Sequence, residues 1–215
     1  MYYKDYETYR DNAWQMHVAC GVNRLPVDVR KLSRAADISI YSYSAAHEVV
    51  QRLIPNSCTD GFAMIISGRK CIFYDDSTPA CRQNFTIAHE LGHYINGDVH
   101  DAPTKWNKEP RDGDKRIEMR ANMVAARILA PACVLWALKI NDAPTLAQVC
   151  NISIQAAEWR LRRLRILYAR EADFYIRKGG SCFCRSPLER QVLQQFQPFI
   201  QEYWKKLNSQ EQCDL

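Results

Sequence analysis

The stretch FTIAHELGHYINGDVH, residues 85 to 100, decides how the rest of the chain is read. His89, Glu90 and His93 form H-E-x-x-H, and Gly97 and His100 follow. On a helix Ile87, Leu91 and Ile95 share one face, and His89 and His93 stand about 200° around from Ile87 and Leu91. The pattern predicts a helix from Asn84 as N-cap through Asn96, stopped by Gly97 at C′, with its histidines turned from the core toward a cleft. Two histidines one turn apart suit a tetrahedral zinc site, and Glu90 between them is placed to take a proton from the attacking water.

The third metal ligand is not supplied by the same stretch. The extended metzincin motif needs Gly and His seven and ten positions after the first His, where this chain has Asn96 and Val99. Glu118, Asp98, His100, Asp112 and Asp114 are the nearby candidates. Glu118 is favoured by geometry, because it lies on a second amphipathic helix, about 115 to 130, whose buried stripe is Ile117, Ala121, Val124 and Ile128. Asn122, one turn on, is placed to hydrogen-bond the Glu118 carboxylate. His100 is the runner-up and requires a return of the polar loop 98 to 114.

Upstream, residues 3 to 20 read as an amphipathic helix stopped by Gly21, and Pro26 as the first turn of a second helix reaching about Ala36. SIYSYS at 39 to 44 alternates like a strand, and FAMII and CIFYD flank Ser67-Gly68-Arg69-Lys70 as a hairpin over 62 to 75. The fold class expected is α+β, mostly helical with a small antiparallel sheet and a zincin-like core.

Composition narrows the class further. The 215 residues, 47% hydrophobic and 25% charged, can bury a substantial core, and a net charge of +5 permits nucleic-acid contact without requiring it. No apolar run is long enough to span a bilayer, and MYYKDYETYR lacks the apolar core of an export signal. Nine cysteines without an export signal read as reduced thiols in a cytoplasm. Cys182 and Cys184, in a C-x-C without a matching partner pair, read more readily as free thiols than, together with Cys213, as ligands of a second metal.

Several blocks in order carry a wider likeness: RLPVDVRKLSRAADISIYSYS, DGFAMIISGRKCIFYDD, RQNFTIAHELGHYINGD, and E-x-x-A-N-x-x-A-A-x-x-L-A-P from Glu118 to Pro131. Over about residues 21 to 135 the chain resembles the ImmA/IrrE family of metallopeptidases. That resemblance implies Zn2+ held by His89, His93 and Glu118, with Glu90 as catalytic base. It also implies an intracellular endopeptidase that cleaves a DNA-binding repressor of a phage, mobile element or stress-response locus. Val124 and Ala130 replace the Phe and Met usual in that family, and both are apolar packing changes.

Beyond residue 135 the resemblance thins. TLAQVCNISIQAAEWRLRRLRIL, 145 to 167, has the cadence of a helix-turn-helix, with Arg160, Arg162, Arg163 and Arg165 making its second helix basic and suited to weak DNA contact. Those arginines wrap the helix instead of lining one face, so a protein-docking or purely structural role competes. Ser186-Pro187-Leu188-Glu189 opens a further helix, which continues or restarts near Pro198. The expected organisation is an N-terminal helix (1–20), a zinc peptidase core (21–135) and a helical C-terminal region (136–215). The rival to a peptidase is a DNA- or repressor-binding regulator with a structural or vestigial metal site.

Overall fold

A computed structural model describes residues 3–53, 60–99, 112–178 and 186–213. The elements run α1 (Tyr3–Ala19), α2 (Val29–Ala35), β1 (Ile38–Ser42), α3 (His47–Leu53), β2 (Gly61–Ile66), β3 (Arg69–Tyr74), α4 (Ala80–Asn96), α5 (Asp112–Leu129), α6 (Ala132–Ala137), α7 (Ala143–Cys150), α8 (Ile154–Lys178) and α9 (Pro187–Cys213). The fold is α+β. The chain divides into two compact units, one of Met1–Ala13 with Asp28–Ile128, the other of Trp14–Val27 with Leu129–Leu215.

The first unit is built on a three-stranded sheet in the order β1-β3-β2. β2 and β3 form the expected hairpin, closed by Ser67 and Gly68 at φ 50° and 76°, the left-handed pair that two-residue hairpins favour. β1 joins β3 in parallel, so the sheet is mixed where an antiparallel one was expected. The reason lies in connectivity: α3 and β2 intervene between β1 and β3, the long crossover that parallel neighbours need.

Side-chain alternation assigns the two faces of the sheet. Phe62, Met64, Cys71 and Phe73 form one buried cluster, backed by Tyr43, Ala46 and Val50. The alternate positions Ala63 and Ile72 are also buried, and the opposite face is where α4 packs. Ile87 and Leu91 on α4 are fully buried, each such side chain contributing about 1.5–3 kcal/mol.

Two helix starts differ from expectation. α2 begins at Val29 instead of near Pro26, because Asp28 caps it by accepting from the Lys31 N–H at 2.9 Å. α4 begins at Ala80 with Pro79 as N-cap, four residues before Asn84. The Pro79 carbonyl receives the Arg82 and Gln83 amides, and the Gln83 side chain donates to Thr78 O at 2.7 Å, so the additional turn is anchored from outside.

In the second unit α7 ends at Asn151, left-handed at φ 50°, and Ser153 caps α8 by accepting from the Ala156 N–H. The two helices expected over 145–167 are therefore present. Arg160 turns inward: its Nε and Nη2 donate to Ala130 O at 2.9 and 2.6 Å, and it is 7% exposed. Ser186 and Glu189 cap α9 reciprocally, side chain to backbone, at 3.1 and 3.0 Å. The helix runs unbroken through Pro198. Among the described residues no helix is long and apolar enough to cross a membrane.

Candidate metal centre

The site lies wholly in the first unit and begins with a glycine. A Cβ at Gly92 would stand 2.8 Å from Ala121 O and 3.0 Å from Ala121 Cα, so only glycine lets α5 approach α4 this closely. That approach sets Glu118, one turn before Ala121–Asn122, against the two histidines. It also buries α4 on a second side: Glu90, Gly92 and His93 are buried along with Ile87 and Leu91. His93 is thus less open than a cleft-facing helix surface predicts.

His89, His93 and Glu118 offer ligand atoms that all lie within 4.8 Å of one another. The two histidine Nε2 atoms are 3.0 Å apart, His89 Nε2 is 3.0 Å from Glu118 Oε2, and His93 Nε2 is 3.5 Å from Glu118 Oε1. Ligands about 2.0–2.1 Å from a tetrahedral zinc ion stand roughly 3.3 Å from each other, so this spacing fits such an ion.

The rings are held from behind. Nδ1–H of His89 donates to Asn122 Oδ1 at 3.0 Å, which turns Nε2 to the side of Glu118, where its lone pair would serve an ion held between them. Asn122 therefore orients His89, not Glu118. Behind His93, Nδ1 lies 3.5 Å from Asp98 Oδ2, and Arg120 Nη2 holds Asp98 Oδ1 at 2.8 Å. This partner arises from the helix stop itself. Gly97 is left-handed at φ 73°, its N–H bonds Tyr94 O, and the Asp98 N–H bonds His93 O at 2.9 Å. That is a Schellman turn, which brings the residue two past the helix back beside the residue three before its end. Asp98 is delivered to His93 by the backbone.

Glu90 occupies a different environment. The Ala63 backbone N–H on β2 donates to its carboxylate, Oε2 is buried without a hydrogen-bond partner, and burial pushes its pKa up to about 7. The carboxyl is thus tied to the edge strand of the sheet. Burial depresses the His93 pKa, reinforced by the charge of neighbouring His89. Burial also pulls His89 down, but the Glu118 hydrogen bond and the Glu90 charge outweigh it and its pKa is raised. Glu118 is held below the usual carboxylate range by its hydrogen bond to His89.

Of the five candidate third ligands, the structure brings Glu118 to the histidines and places Asp98 behind His93. Asp112 and Asp114 fall in the first turn of α5. His100 and most of the 98–114 loop lie outside the described residues, as do Cys182 and Cys184. Tyr94, a nearby candidate for oxyanion stabilisation, has its hydroxyl tied to the sheet: it donates to Met64 O at 2.6 Å and accepts from the Cys71 N–H at 3.0 Å. Its pKa is raised to about 12 by burial, and its role is to fasten α4 to β2 and β3.

Arg120 and the Ala63 amide were not legible as site residues from spacing, and Asp98, a candidate ligand by position, stands instead behind His93. The signal for Asp98 was the Gly97 stop, which implies the return of the next residue toward His93.

A family model described as peptidase M78, IrrE N-terminal-like domain, matches residues 40–162, more than half of the chain. No curated protein matches the chain significantly.

Proposed function

Because the chain belongs to the M78 peptidase family, a family of metallopeptidases, we propose that it is a zinc-dependent endopeptidase of the cytoplasm. Its substrate in this reading is a helix-turn-helix repressor or similar regulator of a mobile element or stress response. The observation that carries the reading is the three-donor cluster of His89, His93 and Glu118 with a buried, half-anchored Glu90 beside it. The unpaired thiols of Cys20, Cys71, Cys81, Cys133 and Cys150 support a reducing compartment.

His89, His93 and Glu118 would hold the ion, with Asn122 and Asp98 fixing the two rings. A bound zinc ion supplies Lewis-acid polarisation of the scissile carbonyl and makes water a stronger acid. Glu90 accepts the proton of the attacking water and returns it to the leaving amine. The Ala63 amide orients that carboxylate while leaving Oε2 available. β2 is an edge strand, and its outer side suits an extended substrate added as a further strand.

The test combines metal content with cleavage. Purified protein should hold about one zinc per chain, lost in Glu118→Ala, while Glu90→Gln keeps the metal and loses cleavage of a repressor encoded beside the gene. A binding regulator with a structural metal would bind the repressor equally well with either residue at position 90. A Glu90→Gln protein that still cleaves would refute the catalytic assignment.

A further inference from the structure

Three of the large hydrophobic side chains exposed on the described residues lie on one short stretch of α8: Ile154 is 51% exposed, Trp159 66% and Ile166 46%. Gln155, Glu158, Arg162 and Arg165 are exposed between them. At 100° per residue these seven positions span about 140° of the helix surface, one continuous face. The Arg162 guanidinium lies over the Trp159 ring, 4.9 Å from its centroid. A cluster of exposed Trp, Arg and Ile has the composition of an interface centre.

The face is poorly suited to DNA. Of the four arginines that make the sequence look basic, Arg160 is spent inside the fold on Ala130 O, and Arg163 is half-buried. Arg162 and Arg165 remain, sharing the face with Glu158. Phosphate binding draws its strength from several cations acting together, and here a carboxylate and three apolar side chains occupy the same surface.

The face is instead complementary to itself. Ile154 and Ile166 are equidistant from residue 160, as are Gln155 and Arg165, and Glu158 and Arg162. We propose that α8 is the contact between two copies of this chain, packed antiparallel about a two-fold axis near residue 160. In that arrangement Glu158 of each copy meets Arg162 of the other, Gln155 meets Arg165, and the isoleucines close the two ends around Trp159. A two-fold contact requires this reciprocity, each residue meeting its counterpart in both directions. One helix face buries less than about 1,200 Å² in total, so the dimer is weak and concentration-dependent.

The test is sedimentation of the full chain at roughly 5 to 500 µM, a range that spans weak association. Wild type should shift from monomer toward dimer across that range. Glu158→Arg and Arg162→Glu should each weaken the dimer about tenfold or more, since each substitution acts twice per dimer and replaces attraction by repulsion. The double swap, E158R with R162E, should restore association to within about threefold of wild type. Trp159→Ala should weaken it independently of charge. A monomer at every concentration overturns the proposal, and so does a dimer indifferent to these variants or a double swap without rescue. Loss of binding to a 20-base-pair duplex probe in Arg162→Glu, with unchanged sedimentation, would assign the face to DNA instead.

Discussion

Asp98 and Asn122 contribute to the site without touching the place a metal would occupy. Each faces the far nitrogen of one histidine: Asn122 is hydrogen-bonded to His89 at 3.0 Å, and the Asp98 carboxylate approaches His93 to 3.5 Å as an ion-pair partner. Removing such partners typically weakens metal affinity about 10–100-fold. Asp98→Ala and Asn122→Ala should therefore remain folded and lose affinity by that factor in chelator competition, whereas His89→Ala should lose the site altogether. Equal affinity in Asp98→Ala would show that burial and the Schellman turn hold His93 without it. The residues that carry this chemistry were unequally legible. His89, Glu90 and His93 are contiguous on one helix, so spacing alone grouped them. Glu118 required a second helix, and its apolar stripe supplied one. Asp98 was read as a candidate ligand and not as a support behind His93, because that contact runs through a turn, and helical periodicity ends where the turn begins.

At the scale of elements, the close crossing of α4 and α5 governs the site. Alanine is intrinsically preferred over glycine in a helix by about 1 kcal/mol. Gly92→Ala should nevertheless destabilise the protein by about 1–2 kcal/mol, because its Cβ meets Ala121 O at 2.8 Å and α5 must retreat. Denaturant unfolding measures the loss, and chelator competition should show weaker metal binding as Glu118 moves away. A stabilised Gly92→Ala protein would mean that α5 yields freely. The elements themselves were mostly readable. The hairpin, α1, α4 through Gly97, α5 and the Ser186 cap of α9 all have local signals. α3 and α6 are short and gave none. The parallel pairing of β1 is non-local, so no pattern within the strand could announce it.

Across the whole molecule, the two compact units each keep cysteines in their cores. Cys133 and Cys150 of the second unit are raised to about 12 by burial. At pH 8 such a thiol is thiolate in roughly one molecule in ten thousand. Both should resist alkylation in the native protein and react once denaturant opens the unit, while half-buried Cys81 labels without unfolding. Mass-spectrometric mapping of labelled sites checks this, and native labelling of Cys133 would reveal local opening around α6. Charge also reads differently at this scale. Arg160 contributes to the net charge of the chain but serves as an internal cap on Ala130 O, so summed charge overstates what the surface offers. The edge position of β2 has a consequence for cleavage itself. Backbone pairing along a strand repeats every two residues, so in the proposed mode of binding a peptide sliding along β2 would find the same fit at alternate bonds. The edge is a ruler with even marks and no origin. An endopeptidase that cuts its target at one place must take that origin from elsewhere: from side chains next to the cut, or from the fold of the target, which leaves one loop long enough to lie down.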